Sequence, residues 1–233
     1  IALYRALSFM HELVHLRKRA IPGFHLAWTL LVGVPLMVPS FLYTDIHLSH
    51  HNKNKFGTDL DGEYAPFAWS SVWVLLKHFS GHFLLPIFIL ARFIILAPIS
   101  FLYPKARKGI KENLSGISIK MPFKREVSNK KEDQFVWLYE EIFTCIFIWM
   151  VLVGVYFDFV PKLLILHFAI SAILIAVLNS IRTIGATHRY LSLGQKMSFQ
   201  HQFKDSVNIS SSRLDNLLIC PVGLRFHALH HLF

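Results

Sequence analysis

Charge is what this chain has least of. Of its 233 residues, 16% are charged and 54% hydrophobic, whereas roughly a quarter are charged in a soluble domain. With a mean hydropathy of +0.45, this excludes an ordinary soluble domain and points to a multi-pass membrane protein. Acidic residues are the scarcer sign, 14 against 24 Lys and Arg, for a net charge of +10. The basic residues adjoin long apolar stretches. They read as membrane-orienting charge on cytoplasmic loops, which argues against nucleic acid as a partner. Two cysteines, Cys145 and Cys220, are too few for a disulfide framework and are expected as reduced structural thiols. No secretory signal, internal repeat or low-complexity tract is visible. The chain opens at Ile1 and stops two residues after His231, so native ends are expected beyond both.

Histidine, in contrast, is plentiful. Nine of the 14 histidines fall into four groups: His11 and His15 in H-E-L-V-H, His47, His50 and His51 in H-L-S-H-H, His188 alone, and His227, His230 and His231 in H-A-L-H-H. Residues three or four apart share a helix face, so each box presents two or three imidazoles together. Imidazole is the commonest protein ligand for transition metals. A structural zinc takes four ligands and a catalytic zinc three plus water, so nine histidines predict two ions.

The membrane reading follows from where the apolar runs lie. Residues 1–20 carry the first box and then Arg17-Lys18-Arg19, as a helix emerging on the cytoplasmic side would. Residues 21–43 are long enough to cross a bilayer but hold Pro22, Pro35 and Pro39. If the first two boxes share a site, both must lie on one face. This predicts a kinked re-entrant or interfacial segment. Residues 44–64 hold the second box and a polar run. Residues 66–104 are apolar but interrupted by Lys77, His78, Ser80-Gly81-His82 and Arg92. They read either as two short crossings or as an amphipathic piece on the surface. Residues 105–134, with nine Lys/Arg against four Asp/Glu, are expected in the cytoplasm. Spans at 135–157 and 161–181, joined by Asp158-Phe159-Val160, form a hairpin that returns 182–233 to the same side. The expected fold is all-α: one domain over 1–233, a multi-pass helical bundle with a cytoplasmic, histidine-rich di-metal cap.

Zinc has no redox chemistry, whereas iron with open coordination positions can bind and reduce dioxygen. A histidine-rich site on a membrane bundle suits oxidation of a lipid-like substrate reached through an apolar channel, with electron donors docking from the cytosol.

The three boxes, in this order and with hydrophobic pairs between them, resemble those of the membrane fatty acid desaturase and hydroxylase superfamily over nearly the whole chain. R-T-I-G-A-T-H-R-Y resembles the extra-histidine segment before the third box. D-S-V-N and P-V-G-L-R-F-H-A-L-H-H-L resemble bacterial-type fatty acid desaturases most closely. The resemblance implies two non-haem iron ions, dioxygen as co-substrate, a lipid or fatty acyl substrate, and electrons from a ferredoxin, rubredoxin or cytochrome b5-like partner. By position it makes His11, His15, His47, His50, His51, His188, His227, His230 and His231 the metal ligands. Acyl-CoA desaturases place an asparagine four residues before the extra histidine. Ile184 stands there instead, and neither Asn179 nor Asn208 is expected to take its place as a ligand. The resemblance favours insertion of a double bond into an acyl chain. The alternative is hydroxylation of a sterol, carotenoid or sphingoid lipid. Both begin with hydrogen abstraction and part at sub-ångström placement of the chain.

H-E-x-x-H is also the zinc metalloprotease signature, with Glu12 as general base, but that reading leaves both H-x-x-H-H boxes unexplained. Metal-bound imidazoles pass their second N–H to a carboxylate or carbonyl. Asp45, Asp59, Asp61, Asp205, Arg182 and Asn208 are candidates for such supporting roles. His25 and His167 are expected to be satisfied by neighbours, His78 and His82 to mark an interfacial turn, and His201 to lie on the surface. Arg92 should pair or snorkel, and Glu140 and Glu141 should sit at the interface.

Overall fold

The first two histidine boxes are carried by short helices that no crossing separates. In this computed structural model, residues 1–16, 20–65, 67–120, 123–209, 214 and 218–232 are described; Arg17-Lys18-Arg19 fall outside them. Helix α1 (Ala2–His15) ends on the first box. Helix α2 (Phe24–Gly33) has ten residues, about 15 Å at 1.5 Å per residue, half of a roughly 30 Å hydrocarbon core. Its last turn, Thr29–Gly33, is π-wound. The Trp28 indole donates to the Ala6 carbonyl at 3.0 Å, folding α2 back onto α1. Gly33 permits this, because a Cβ there would lie 2.9 Å from the Trp28 ring and 3.3 Å from Pro39 Cα. The chain turns through Met37, at φ 57, and enters α3 (Thr44–His50), which carries the second box. Residues 21–43 thus form the kinked, non-crossing segment that the prolines predict.

Residues 66–104 differ from both expectations. Helix α4 (Val72–Leu102) is continuous over 31 residues and is long and apolar enough to cross a membrane. Ser80-Gly81-His82 tightens it into a 3-10 turn at His82–Leu84 instead of breaking it. Pro86 follows in the first turn of the next α segment, where its missing N–H removes no helical bond. A π turn at Arg92–Leu96 leads into the last α segment, Ala97–Leu102. The chain enters α4 beside Tyr190, whose carbonyl accepts from Trp69 Nε1 at 2.7 Å. After α5 (Pro104–Asn113) it returns to Leu42, where Ile117 N donates to the carbonyl at 2.8 Å.

Helices α6 (Lys131–Tyr156) and α7 (Leu163–Ala186) are the predicted hairpin, each extended by several residues toward the histidines. Asp158 takes a left-handed φ of 60, and Val160 N donates to the Gly154 carbonyl at 2.9 Å. Short helices α8 (Phe199–Asp205) and α9 (His227–His230) follow. Among the described residues there is no β-strand, only isolated bridges at Thr58–Gly194 and His188–Ser206. The main apolar core packs Met37, Phe41 and Leu42 against Phe93 of α4 and Trp137 and Ile148 of α6. Phe41 stacks on Trp137 with centroids 4.5 Å apart. Both cysteines are buried, in the reduced state.

Glu140 and Glu141 are fully buried rather than interfacial. Glu140 accepts from Thr29 Oγ1 (2.9 Å), Ser40 Oγ (2.8 Å) and Phe41 N (3.0 Å), fixing the approach to α3. Glu141 pairs with Arg92 at 2.5 Å and Arg107 at 3.0 Å, which settles Arg92 as paired. Removing one partner of a buried ion pair leaves an uncompensated charge. Glu141→Leu is therefore expected to lose about 3–5 kcal/mol of stability, read from denaturant unfolding in detergent; a loss below about 1 kcal/mol would mean that water already screens the arginines.

Candidate metal centre

Four segments deliver the nine imidazoles to one place. α1 supplies His11 and His15 from its last two turns, α3 and its C-cap supply His47, His50 and His51, and α9 and its C-cap supply His227, His230 and His231. His188 lies just past α7, held by its bridge to Ser206. The rings sort into two groups. Ligand nitrogens of His11, His15, His47, His51 and His230 all lie within 4.8 Å of one another, as do those of His50, His227 and His231. His188 joins the second group, its Nε2 3.3 Å from His227 Nε2.

The Nε2 atoms face one another: His15–His47 at 2.8 Å, His47–His51 at 3.2 Å, His51–His230 at 3.0 Å, His15–His230 at 3.1 Å and His227–His231 at 3.1 Å. Two ligands at right angles on an ion about 2.1 Å away would be about 3 Å apart. The other ring nitrogens explain the tautomers. His47 Nδ1 lies 3.0 Å from Glu63, His50 Nδ1 2.8 Å from Asp61 and His11 Nδ1 3.0 Å from Glu12; His188 Nδ1 approaches Asp205 at 3.4 Å without a hydrogen bond. A proton on Nδ1 leaves Nε2 a bare lone pair. Those of His11 and His50 are buried without any partner. Lone pairs aimed at one another in a desolvated site repel unless a cation lies between them, so the donor set fits two metal ions.

Burial, the largest influence, and then the neighbouring imidazoles keep most of the rings neutral. The pKa falls to about 4 at His15 and about 3 at His230, and is lowered at His11, His47, His51, His188, His227 and His231. His50 is the exception: burial, the largest influence, opposes its charge, but Asp61, Glu63 and Asp205 together raise its pKa. Burial would raise Asp61, yet His50 and the backbone N–H groups of Gly57 and Glu63 hold it below the usual carboxylate range. Burial lifts Glu63 to about 6.

Of the predicted supporting residues, Asp61 and Asp205 stand against histidine rings. Asn208 supports the third box differently: its Oδ1 accepts from the backbone N–H of Ala228 (3.0 Å) and Leu229 (3.3 Å), capping α9. Asp45 belongs instead to Arg125 (2.8 Å) and Ser128 N (3.3 Å), because it lies on the face of α3 turned to the 114–128 loop. Asp59 is exposed and pairs with Lys120. Arg182 bonds to Asn179 and Thr183 rather than to a ring. Glu63 and Tyr43, whose hydroxyl lies 2.8 Å from His47 Nδ1, were missed. Their signals were Tyr43 four residues before His47 and Glu63 two after Asp61 in the same polar run. His25 is satisfied by Tyr139 (2.8 Å), His167 by the Leu163 carbonyl (3.1 Å), and His201 is exposed. His78 lies in the α-helical part of α4 and His82 opens its 3-10 turn, within a continuous helix, and the two share the Ser180 hydroxyl at 3.1 and 2.8 Å. The protease arrangement is not formed among the described residues. Other imidazoles surround His11 and His15, and Glu12 is bonded to the back of a ring.

A tunnel of about 640 Å³ opens onto both groups, touching His11, His47, His50, His188 and His227. Its wall is otherwise mainly apolar, with Leu3, Leu7, Ile89, Phe147, Phe168 and Ala172 among the lining residues. Along α7 it runs from Leu164 to Thr183, roughly 28 Å of helix. A second cavity of about 250 Å³ borders Glu12, Gly223, Phe226 and His230.

Two outcomes are expected. Asp61→Asn replaces the charged acceptor that orients His50 with a neutral amide and should weaken metal binding in the second group by about 10- to 100-fold. Competition with a chelator measures this, and unchanged affinity would contradict it. The metal-free chain should lose stability as pH falls below 6.5, because the unfolded histidines take up protons that the folded ones, lowered to about 4 and 3, exclude. His50 and Glu63, whose pKa values are raised, have the opposite sign. Melting in detergent at pH 7.5 and 5 tests it; equal or greater stability at pH 5 would be the contrary result.

The family model described as fatty acid desaturase matches residues 1–233. The chain is 40% identical over 232 residues to a ceramide hydroxylase of Caulobacter vibrioides (strain NA1000 / CB15N), covering 100% of this chain and 65% of that protein, so it spans just under two thirds of the relative's length. No solved structure matches. With three histidine boxes converging at one end of a bundle of apolar helices, this chain belongs to the fatty acid desaturase family.

Proposed function

We propose that this chain forms the catalytic core of a membrane-bound, non-haem di-iron lipid hydroxylase that uses dioxygen and acts on a ceramide-class sphingolipid. The observation that carries the reading is the meeting of two all-imidazole groups with one long apolar tunnel. His11, His15, His47, His51 and His230 would hold one iron, and His50, His188, His227 and His231 the other. Irons held there would supply the dioxygen chemistry needed to break an unactivated C–H bond. Balance requires one lipid C–H, one O2, two electrons and two protons in, and one C–OH and one water out.

The chain's own residues do the rest. Asp61, Glu63 and Glu12 orient the rings through Nδ1, leaving Nε2 free for metal. The tunnel wall excludes water and confines a lipid tail, so that one carbon is presented to the site. Hydroxylation is preferred to desaturation because the ceramide hydroxylase relative supports it; this reverses the order that the bacterial-type desaturase resemblance suggested. The basic 105–134 segment packs on α3 through Arg125–Asp45 and on the turn before it through Ile117–Leu42. This supports a metal site on the same side as that segment, taken here as cytoplasmic. A ferredoxin, rubredoxin or cytochrome b5-like donor would dock on that side.

Lipid mass spectrometry of a host expressing the full-length gene is the test. A ceramide gaining one oxygen atom is the expected product; loss of two hydrogens would instead establish a desaturase. One zinc and no iron in the purified protein, with activity surviving anaerobically, would contradict both. Replacing any of His47, His50, His51, His227, His230 or His231 with Ala should abolish product without preventing membrane insertion, whereas wild-type yields from several of these variants would refute the ligand assignment.

A further inference from the structure

The tunnel wall holds one charge that the metal site does not use. Arg182 lies near the histidine end of α7, partly buried, with its Nε shielded from solvent and without a hydrogen-bond partner among the described residues. Its Nη2 donates to Asn179 Oδ1 at 3.0 Å and to Thr183 Oγ1 at 3.2 Å, both neutral groups that also line the tunnel. Among the described residues no carboxylate pairs with it. The contrast is local: Arg92, Arg107 and Arg125 all pair with buried or nearly buried carboxylates. A guanidinium keeps its charge in a protein. An unpaired one in a largely apolar, membrane-level cavity is costly and commonly marks a binding function. It stands six residues before His188 and lines the tunnel together with His11, His47 and His227, which places it beside the metal centre and not at the tail end of the tunnel. That end, at Leu164, is roughly 27 Å away along the same helix.

We infer that Arg182, positioned by Asn179 and Thr183, anchors the polar head of the lipid through an oxygen acceptor, so that the carbon oxidised lies a few bonds from the head while the tail runs toward Leu164. The inference rests on the lipid hydroxylase reading above and adds to it a positioning residue and a polarity for the bound substrate. A ceramide head carries such acceptors in its amide carbonyl and hydroxyl oxygens. The tunnel accommodates the tail in only one direction if the head is held at Arg182.

The test uses the full-length, iron-loaded protein in lipid nanodiscs with a reduced donor and a ceramide as substrate. Wild type should place the hydroxyl at one position close to the head. Arg182→Met should raise KM by about 10- to 100-fold, the range for losing a hydrogen bond to a charged group. It should also scatter the hydroxyl along the chain, with iron content unchanged. Arg182→Lys, which keeps the charge, should recover part of the affinity and the single position, and Asn179→Leu should behave as a milder Arg182→Met. Unchanged KM and a single product position in Arg182→Met, or a hydroxyl far down the tail in wild type, would overturn the anchor. Loss of iron in Arg182→Lys and Asn179→Leu would also overturn it, by showing a purely structural role. If wild-type protein yields no hydroxylated ceramide at all, the hydroxylase reading fails instead.

Discussion

Everything in this molecule answers to one electrostatic constraint: neutral imidazoles must be held with their lone pairs converging. Five Nε2–Nε2 contacts lie between 2.8 and 3.2 Å, and a proton shared along one such contact cannot serve them all. Where a carboxylate takes the Nδ1 proton, as at His47 and His50, the facing nitrogen has nothing to donate. The arrangement makes sense only around cations. Burial cooperates by keeping the rings neutral, which is the protonation state that a metal ligand needs.

Short helices at a bundle's end are poor platforms for such geometry, so the scaffold must brace them. It does so with buried charge. Glu140 on α6 grips Thr29, Ser40 and Phe41 and so aims α3. Glu141 draws α4 and α5 onto α6 through Arg92 and Arg107. Arg125 fastens the basic loop to Asp45 on the reverse face of α3. Paired buried ions contribute little net stability but penalise any arrangement that separates them, which suits a site whose ligands come from segments more than 200 residues apart.

Much of this was legible in the sequence because it depends on local periodicity. H-x-x-x-H and H-x-x-H-H put rings on one helix face whatever surrounds them, and the three-residue link at 158–160 permits only a hairpin. The prolines of 21–43 limited that segment to a short helix. What escaped was decided by tertiary partners. Ser80-Gly81 resembles a break, yet helix continues through it as a 3-10 turn, and Pro86 falls where a helix tolerates it. Glu140 and Glu141 read as interfacial because their arginine, hydroxyl and backbone partners are distant in sequence. Asp45 and Asp61 are equally acidic and equally near the second box; only the fold shows that one faces a ring and the other a loop. Glu63 was hidden behind Asp61 for the same reason. Desaturation against hydroxylation was never a question of residue type, and here similarity to a named hydroxylase supplies the preference.

The central claim is that the nine rings enclose two separate irons. Diffraction from crystals of iron-loaded protein, with data collected on both sides of the iron absorption edge, addresses it directly. The account predicts two anomalous peaks, one inside His11, His15, His47, His51 and His230 and the other inside His50, His188, His227 and His231. A single peak, or a pair outside these rings, would contradict it.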